Sequence, residues 1–255
     1  MGVFFIRVCP PPDLWYNIPK RRRRMEKVNT FFDGMNKLDP VAANKALTDN
    51  HYSKDAALKL AAEIMETLRP HIEKNKEWLK TNRNVDYEVR KDFIRTALEI
   101  LLQKYPSHTV KPKIYFKEDT EKNGLAEAPL LKGVSCMFFE KNFVPYAQQA
   151  REILGNDEPF FAFFYDLSGG GPGLVGGIVH EFTHYLQATK QSSIPKEVGD
   201  LASKYYKLPT ENRDIYRDSI FEVEAHATGG YASERTFGLM GFDLSFLKQM
   251  QNQKD

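Results

Sequence analysis

Between residues 180 and 184 the chain reads His180-Glu181-Phe182-Thr183-His184, two histidines four positions apart with a glutamate directly after the first. On an α-helix of 3.6 residues per turn, positions four apart project from one face, so both imidazoles can reach one metal ion. Neutral imidazole suits Zn²⁺, which binds nitrogen at about 2.0–2.1 Å. Glu181 then lies beside the ion, where it can take a proton from a zinc-activated water and deliver it to a leaving group. Val175, Val179, Phe182 and Leu186 form an apolar side facing away from the histidines, as a helix carrying such a site requires. Without a metal, the same residues are an ordinary polar helix face.

A catalytic zinc has three protein ligands and an open position. The later stretch Phe221-Glu222-Val223-Glu224-Ala225-His226-Ala227 concentrates suitable groups among small and apolar residues. A carboxylate buried there without a metal would be costly. Glu222 and Glu224 cannot share a helix face, because two residues turn the side chain by about 200°. Glu222 has Ser219, Ala225 and Gly229 on its own face, all small enough for a close helix approach, and is the preferred third ligand. Glu224 and His226 remain the alternatives.

His180-Glu181-x-x-His184 followed by Glu222-x-x-Ala225 resembles the gluzincin group of zinc metallopeptidases. The likeness is confined to about 160–235. It implies one Zn²⁺ per chain on His180, His184 and Glu222, Glu181 as general base, and protein or peptide as substrate. It also implies a zincin-like fold in which an edge strand runs along the bound peptide, and 159–167 is the segment placed to be that strand. Where relatives carry Asp or Asn to orient a zinc-binding histidine, this chain has His226, which can serve as a hydrogen-bonding neighbour or a transition-state donor. Tyr205, Tyr216, Tyr231 and His226 are all open as the group that steadies an oxyanion.

These residues need elements to hold them. From about 40 to 105 the signals are helical. Ser53 is placed to cap a helix with Asp55 in its first turn, and Leu58, Ala61, Ala62, Met65 and Leu68 recur at helical spacing. Pro70 is expected to kink or end that helix. Phe93, Ile94, Ala97, Ile100 and Leu101 form a second stripe. Segments 113–117, 134–139 and 159–167 read as strands, and helical patterns return at 174–189, 195–206, 212–235 and 243–252. Ser168-Gly169-Gly170-Gly171-Pro172-Gly173 lacks the lysine and hydroxyl of a phosphate-binding loop and reads as a tight connection into the active helix. The fold class expected is α+β, zincin-like: a small mixed sheet with an active-site helix, preceded by an N-terminal helical region. The boundaries expected are 1–24 for a flexible basic arm, 25–110 for the helical region and 111–255 for the metallopeptidase core.

Composition narrows the classes. The 255 residues include 42% hydrophobic and 13% aromatic side chains, enough for a packed core. Thirty-six basic against 34 acidic residues leave a net charge of +2, so no dedicated nucleic-acid binding is expected. Cys9 and Cys136 cannot make a disulfide framework. The apolar run Val3–Ile6 is too short for a signal-peptide core or a membrane span, and the expected location is cytoplasmic, or secreted without a conventional signal peptide. Neither composition nor spacing indicates an oligomeric state. Two rivals to the peptidase reading stand: a zincin-like module that binds without catalysing, and an interaction protein recruited through the basic run at 20–24.

Overall fold

The computed structural model describes residues 39–81, 87–116, 136–139, 158–163, 171–205 and 213–242. The chain divides into two units, 1–43 and 44–255. The basic run at 20–24, the boundary expected at 24, the glycines at 169–170 and the helix expected at 243–252 lie outside the described residues.

The described elements are α1 (Pro40–His51), α2 (Lys54–Thr81), α3 (Tyr87–Lys104), β1 (Lys113–Phe116), β2 (Cys136–Phe139), β3 (Phe160–Phe163), α4 (Gly171–Ala188), α5 (Lys196–Tyr205), α6 (Arg213–Arg217) and α7 (Ile220–Leu239). Helices thus precede and follow one small sheet, an α+β arrangement. Among the described residues, no helix is long and apolar enough to cross a membrane. The helices α2 and α3 belong to the same unit as the sheet, α4 and α7.

Ser53 caps α2 through a bond from the Ala56 amide at 3.3 Å. The helix does not end at Pro70 but runs through it to Thr81. Pro70 is exposed, so the carbonyl it leaves without a helical donor can face water, while Leu68, Ile72 and Leu79 stay buried on the core side. The core face is Ala57, Leu60, Ala61, Ile64, Met65 and Leu68, with Leu58 and Ala62 on its flank rather than at its centre. In α3 the buried face is Phe93, Ile94, Ala97, Leu98 and Leu101, and Ile100 is half-buried.

The sheet is mixed, with strand order β1-β3-β2, β1 parallel and β2 antiparallel to β3. Its pairing sets Lys113 opposite Phe160 and Phe138 opposite Phe161. This corrects one expectation: β3, within the 159–167 segment, is the central strand and not an edge. Its Phe160, Phe161 and Phe163 are buried, as suits a strand flanked on both sides. Phe138 and Phe161 pack on Tyr185 of α4 at ring distances of 5.8 and 6.3 Å, and the Tyr185 hydroxyl donates to the Tyr105 carbonyl at 2.9 Å.

The helix α4 opens at Gly171, three residues earlier than the pattern suggests. Pro172 lies in its first turn, where a missing N–H costs no helical bond. Val175, Val179, Phe182 and Leu186 are buried as expected, but so is nearly all of the rest of the helix. It packs on α7, β2, α2 and α3. The stretch expected as one helix over 212–235 is two. Asp218 and Ser219 break it, and Ser219 caps α7 by accepting a hydrogen bond from the Glu222 amide at 3.2 Å.

Glycines line a close approach of α4 and α7. A methyl at Gly176 would collide with Ser233 Oγ and stand 2.9 Å from the Gly229 carbonyl oxygen. One at Gly229 would stand 2.8 Å from the Gly176 carbonyl oxygen and 3.1 Å from Cβ of His180. A turn further along, buried Thr183 and Thr228 share a hydrogen bond at 2.7 Å. At the other end, Ser233 donates to the Pro172 carbonyl at 3.1 Å.

Gly229→Ala is expected to destabilise the fold by about 1–3 kcal/mol through overpacking. Gly230, where a methyl meets nothing within 4 Å, is the control. Gly230→Ala should be neutral or up to about 1 kcal/mol stabilising through helix propensity. Urea unfolding of both variants reads the difference.

Candidate metal centre

The crossing of α4 and α7 brings His180, His184 and Glu222 together, with one donor atom of each within 4.8 Å of the others. The Nε2 atoms of the histidines stand 3.2 Å apart. Glu222 Oε1 is 3.3 Å from His184 Nε2, and Oε2 is 3.6 Å from His180 Nε2. Three donors about 2.0–2.1 Å from one Zn²⁺ at tetrahedral angles would stand roughly 3.3 Å apart. Two imidazole nitrogens 3.2 Å apart, each with one oxygen of the Glu222 carboxylate beside it, can hold a metal ion.

The positions follow from local structure. The histidines are one turn apart on α4. Glu222 is the third residue of α7, directly after the Ser219 cap, so its carboxylate lies at the positive end of that helix. It is only 1% exposed. Glu181 is buried too, and its Oε1 lies 3.9 Å from His180 Nε2, beside the cluster and outside the group of three.

Glu224 is buried but turned elsewhere. Its Oε1 accepts from the Ser193 amide at 2.8 Å and from Ser193 Oγ at 2.5 Å, and its Oε2 accepts from Gln187 Nε2 at 2.9 Å. Of the two carboxylates left open by spacing, Glu222 therefore faces the histidines and Glu224 holds the turn after α4. His226 is exposed at the rim, its ring centre 4.8 Å from that of His180 and its Nε2 3.9 Å from Glu222 Oε2.

Elsewhere, His71 stacks on Phe93 and hydrogen-bonds the Phe93 carbonyl at 3.1 Å, a packing role between α2 and α3. His108 is exposed in a bend, and His51 ends α1.

Sequence reasoning missed Gln187, which sits 2.8 Å from His184 Nδ1. Its signal was present: a polar side chain three positions after His184, next to the apolar stripe. It also missed Gly176 as the partner of Gly229 in the helix crossing.

Burial disfavours a charged His180. Its hydrogen bond to Glu222, the charges of Glu181 and Glu222 and a hydrogen bond with the Ala225 backbone outweigh that, so its pKa lies above the ordinary histidine value. His226 is shifted the other way, by partial burial and then by the neighbouring His180, partly offset by Glu222.

No known protein family, curated protein or solved structure matches the chain in sequence or fold comparison.

Because the folded-state pKa of His180 is raised, its protonation stabilises the metal-free protein at low pH. That contribution is lost as pH rises from about 6.5 through the raised value. A metal needs the neutral ring, so its binding should strengthen over the same interval. Thermal unfolding with and without zinc, from roughly pH 6 to 8, should show a metal-induced gain in Tm that grows with pH.

Proposed function

We propose that this protein is a zinc-dependent metallopeptidase with a zincin-like fold, of the gluzincin type that its His-Glu-x-x-His and Glu-x-x-Ala segments resemble. The observation that carries the reading is the convergence of His180, His184 and Glu222, one donor atom of each within 4.8 Å of the others, with the Glu181 carboxylate beside them. Two imidazoles and one carboxylate are a donor set suited to Zn²⁺.

In this reading His180, His184 and Glu222 hold the ion. The bound ion supplies Lewis acidity, polarising a peptide carbonyl and acidifying water. Glu181 does the proton work: its carboxylate accepts a proton from the attacking water, and the resulting carboxyl gives it to the departing amine. Burial of Glu181 and Glu222 keeps bulk water from weakening these interactions. His226, half-facing the cluster from the rim, is placed to touch a substrate oxygen. An extended peptide pairing with the described sheet would have to add at β1 or β2, since β3 is already paired on both sides.

The test is zinc content and hydrolysis of an unstructured protein such as casein, measured together. Wild type should carry one zinc per chain. Glu181→Gln should keep it and lose about 10²–10⁴-fold in turnover. Glu222→Ala should lose the zinc, whereas Glu224→Ala should still load at saturating zinc. A protein that binds zinc yet shows no turnover in wild type would instead be a binding module. One that takes up no zinc would sink the metallopeptidase reading.

A further inference from the structure

We propose that Gln187 is a positioning residue that fixes the tautomer of His184, keeping the Nε2 lone pair of that ring directed at the metal position. The inference rests on the metal-site reading above and assigns a role to a residue outside the ligand set.

Gln187 is buried one turn after His184 on α4. One end of its amide meets the Phe221 main-chain carbonyl at 2.9 Å and Glu224 Oε2 at 2.9 Å. A main-chain carbonyl has no proton to give, so the end facing it must be the NH₂. The other end is then the carbonyl oxygen, and it lies 2.8 Å from His184 Nδ1. A carbonyl oxygen only accepts, so this contact is a hydrogen bond when Nδ1 carries the proton. A neutral ring with its proton on Nδ1 has its lone pair on Nε2, the atom 3.3 Å from Glu222 Oε1.

The device has an opponent. In the metal-free protein the Glu222 carboxylate is itself an acceptor for a proton on Nε2, and a proton there blocks coordination. Gln187 offers the shorter contact, 2.8 against 3.3 Å. Its orientation is held by two groups of α7. Glu224 is anchored in turn by the Ser193 amide and hydroxyl, so the carboxylate that spacing offered as a ligand becomes the support of the residue behind one.

The experiment uses the full chain, metal-free and labelled with ¹⁵N-histidine, at a pH above the ordinary histidine range. Long-range ¹H–¹⁵N correlation reads which nitrogen of His184 carries the proton, and competition with a chromophoric chelator reads zinc affinity. Wild type should show the proton on Nδ1. Gln187→Met, similar in size but without the acceptor, should move it toward Nε2 and weaken zinc binding by about 10–100-fold. A proton on Nε2 in wild type would overturn the proposal even if the variant failed to fold. So would a folded Gln187→Met variant with unchanged tautomer and affinity. If wild type holds the proton on Nδ1, the variant moves it, and neither binds zinc, the positioning stands while the metallopeptidase reading falls.

Discussion

The site exists because two helix backbones come close enough for Gly176 and Gly229 to touch. Each glycine leaves room that a single methyl would fill with backbone contacts under 3 Å. That proximity is what lets a glutamate near the start of α7 reach histidines in the middle of α4. Larger residues at the crossing would separate the helix axes, and the Glu222 oxygens, now 3.3 and 3.6 Å from His184 Nε2 and His180 Nε2, would move away from the histidines with them. The Thr183–Thr228 hydrogen bond and the bond from Ser233 to the Pro172 carbonyl fasten the same seam on either side of the glycines.

The seam also concentrates buried charge. Glu181, Glu222 and Glu224 are all buried within one region, which in an apolar interior is expensive unless each finds compensation. Glu224 finds it in three donors from Ser193 and Gln187. Glu222 finds it in two histidines and the positive end of α7. These two solutions differ in kind. Neutral hydrogen-bond donors suit a permanent structural tie, whereas titratable imidazoles can release their protons to solvent and bind a cation through the freed nitrogen.

Much of this was legible in the sequence because it is local. The His180/His184 pair follows from the helical period, and Glu222 was preferred over Glu224 because its face is lined by Ser219, Ala225 and Gly229. Those small residues do lie at the approach or the cap. The break before α7 is hidden when Ser219 is read as a face residue of one long helix. Yet Ser219-x-x-Glu222 has the pattern of a helix start, so the signal was there and was given the wrong meaning. Pro70 does not end its helix, since an exposed proline between Leu68 and Ile72 leaves the core face continuing across it. The central place of β3 was not legible at all. Strand order depends on pairings between segments far apart in sequence, and Phe160–Phe163 reads alike at a centre or an edge.

The Ser219 cap also decides where this chain tolerates changes of length. The register of α7 is counted from its own start, not inherited from α6, because Asp218 and Ser219 interrupt the helix between them. Residues gained or lost ahead of Asp218 leave the rotation of Glu222 about the α7 axis unchanged. One residue inserted between Ser219 and Glu222 turns the carboxylate by about 100° relative to the cap. A change of length between the serine and the glutamate therefore uncouples the carboxylate from the cap that sets it at the positive end of α7.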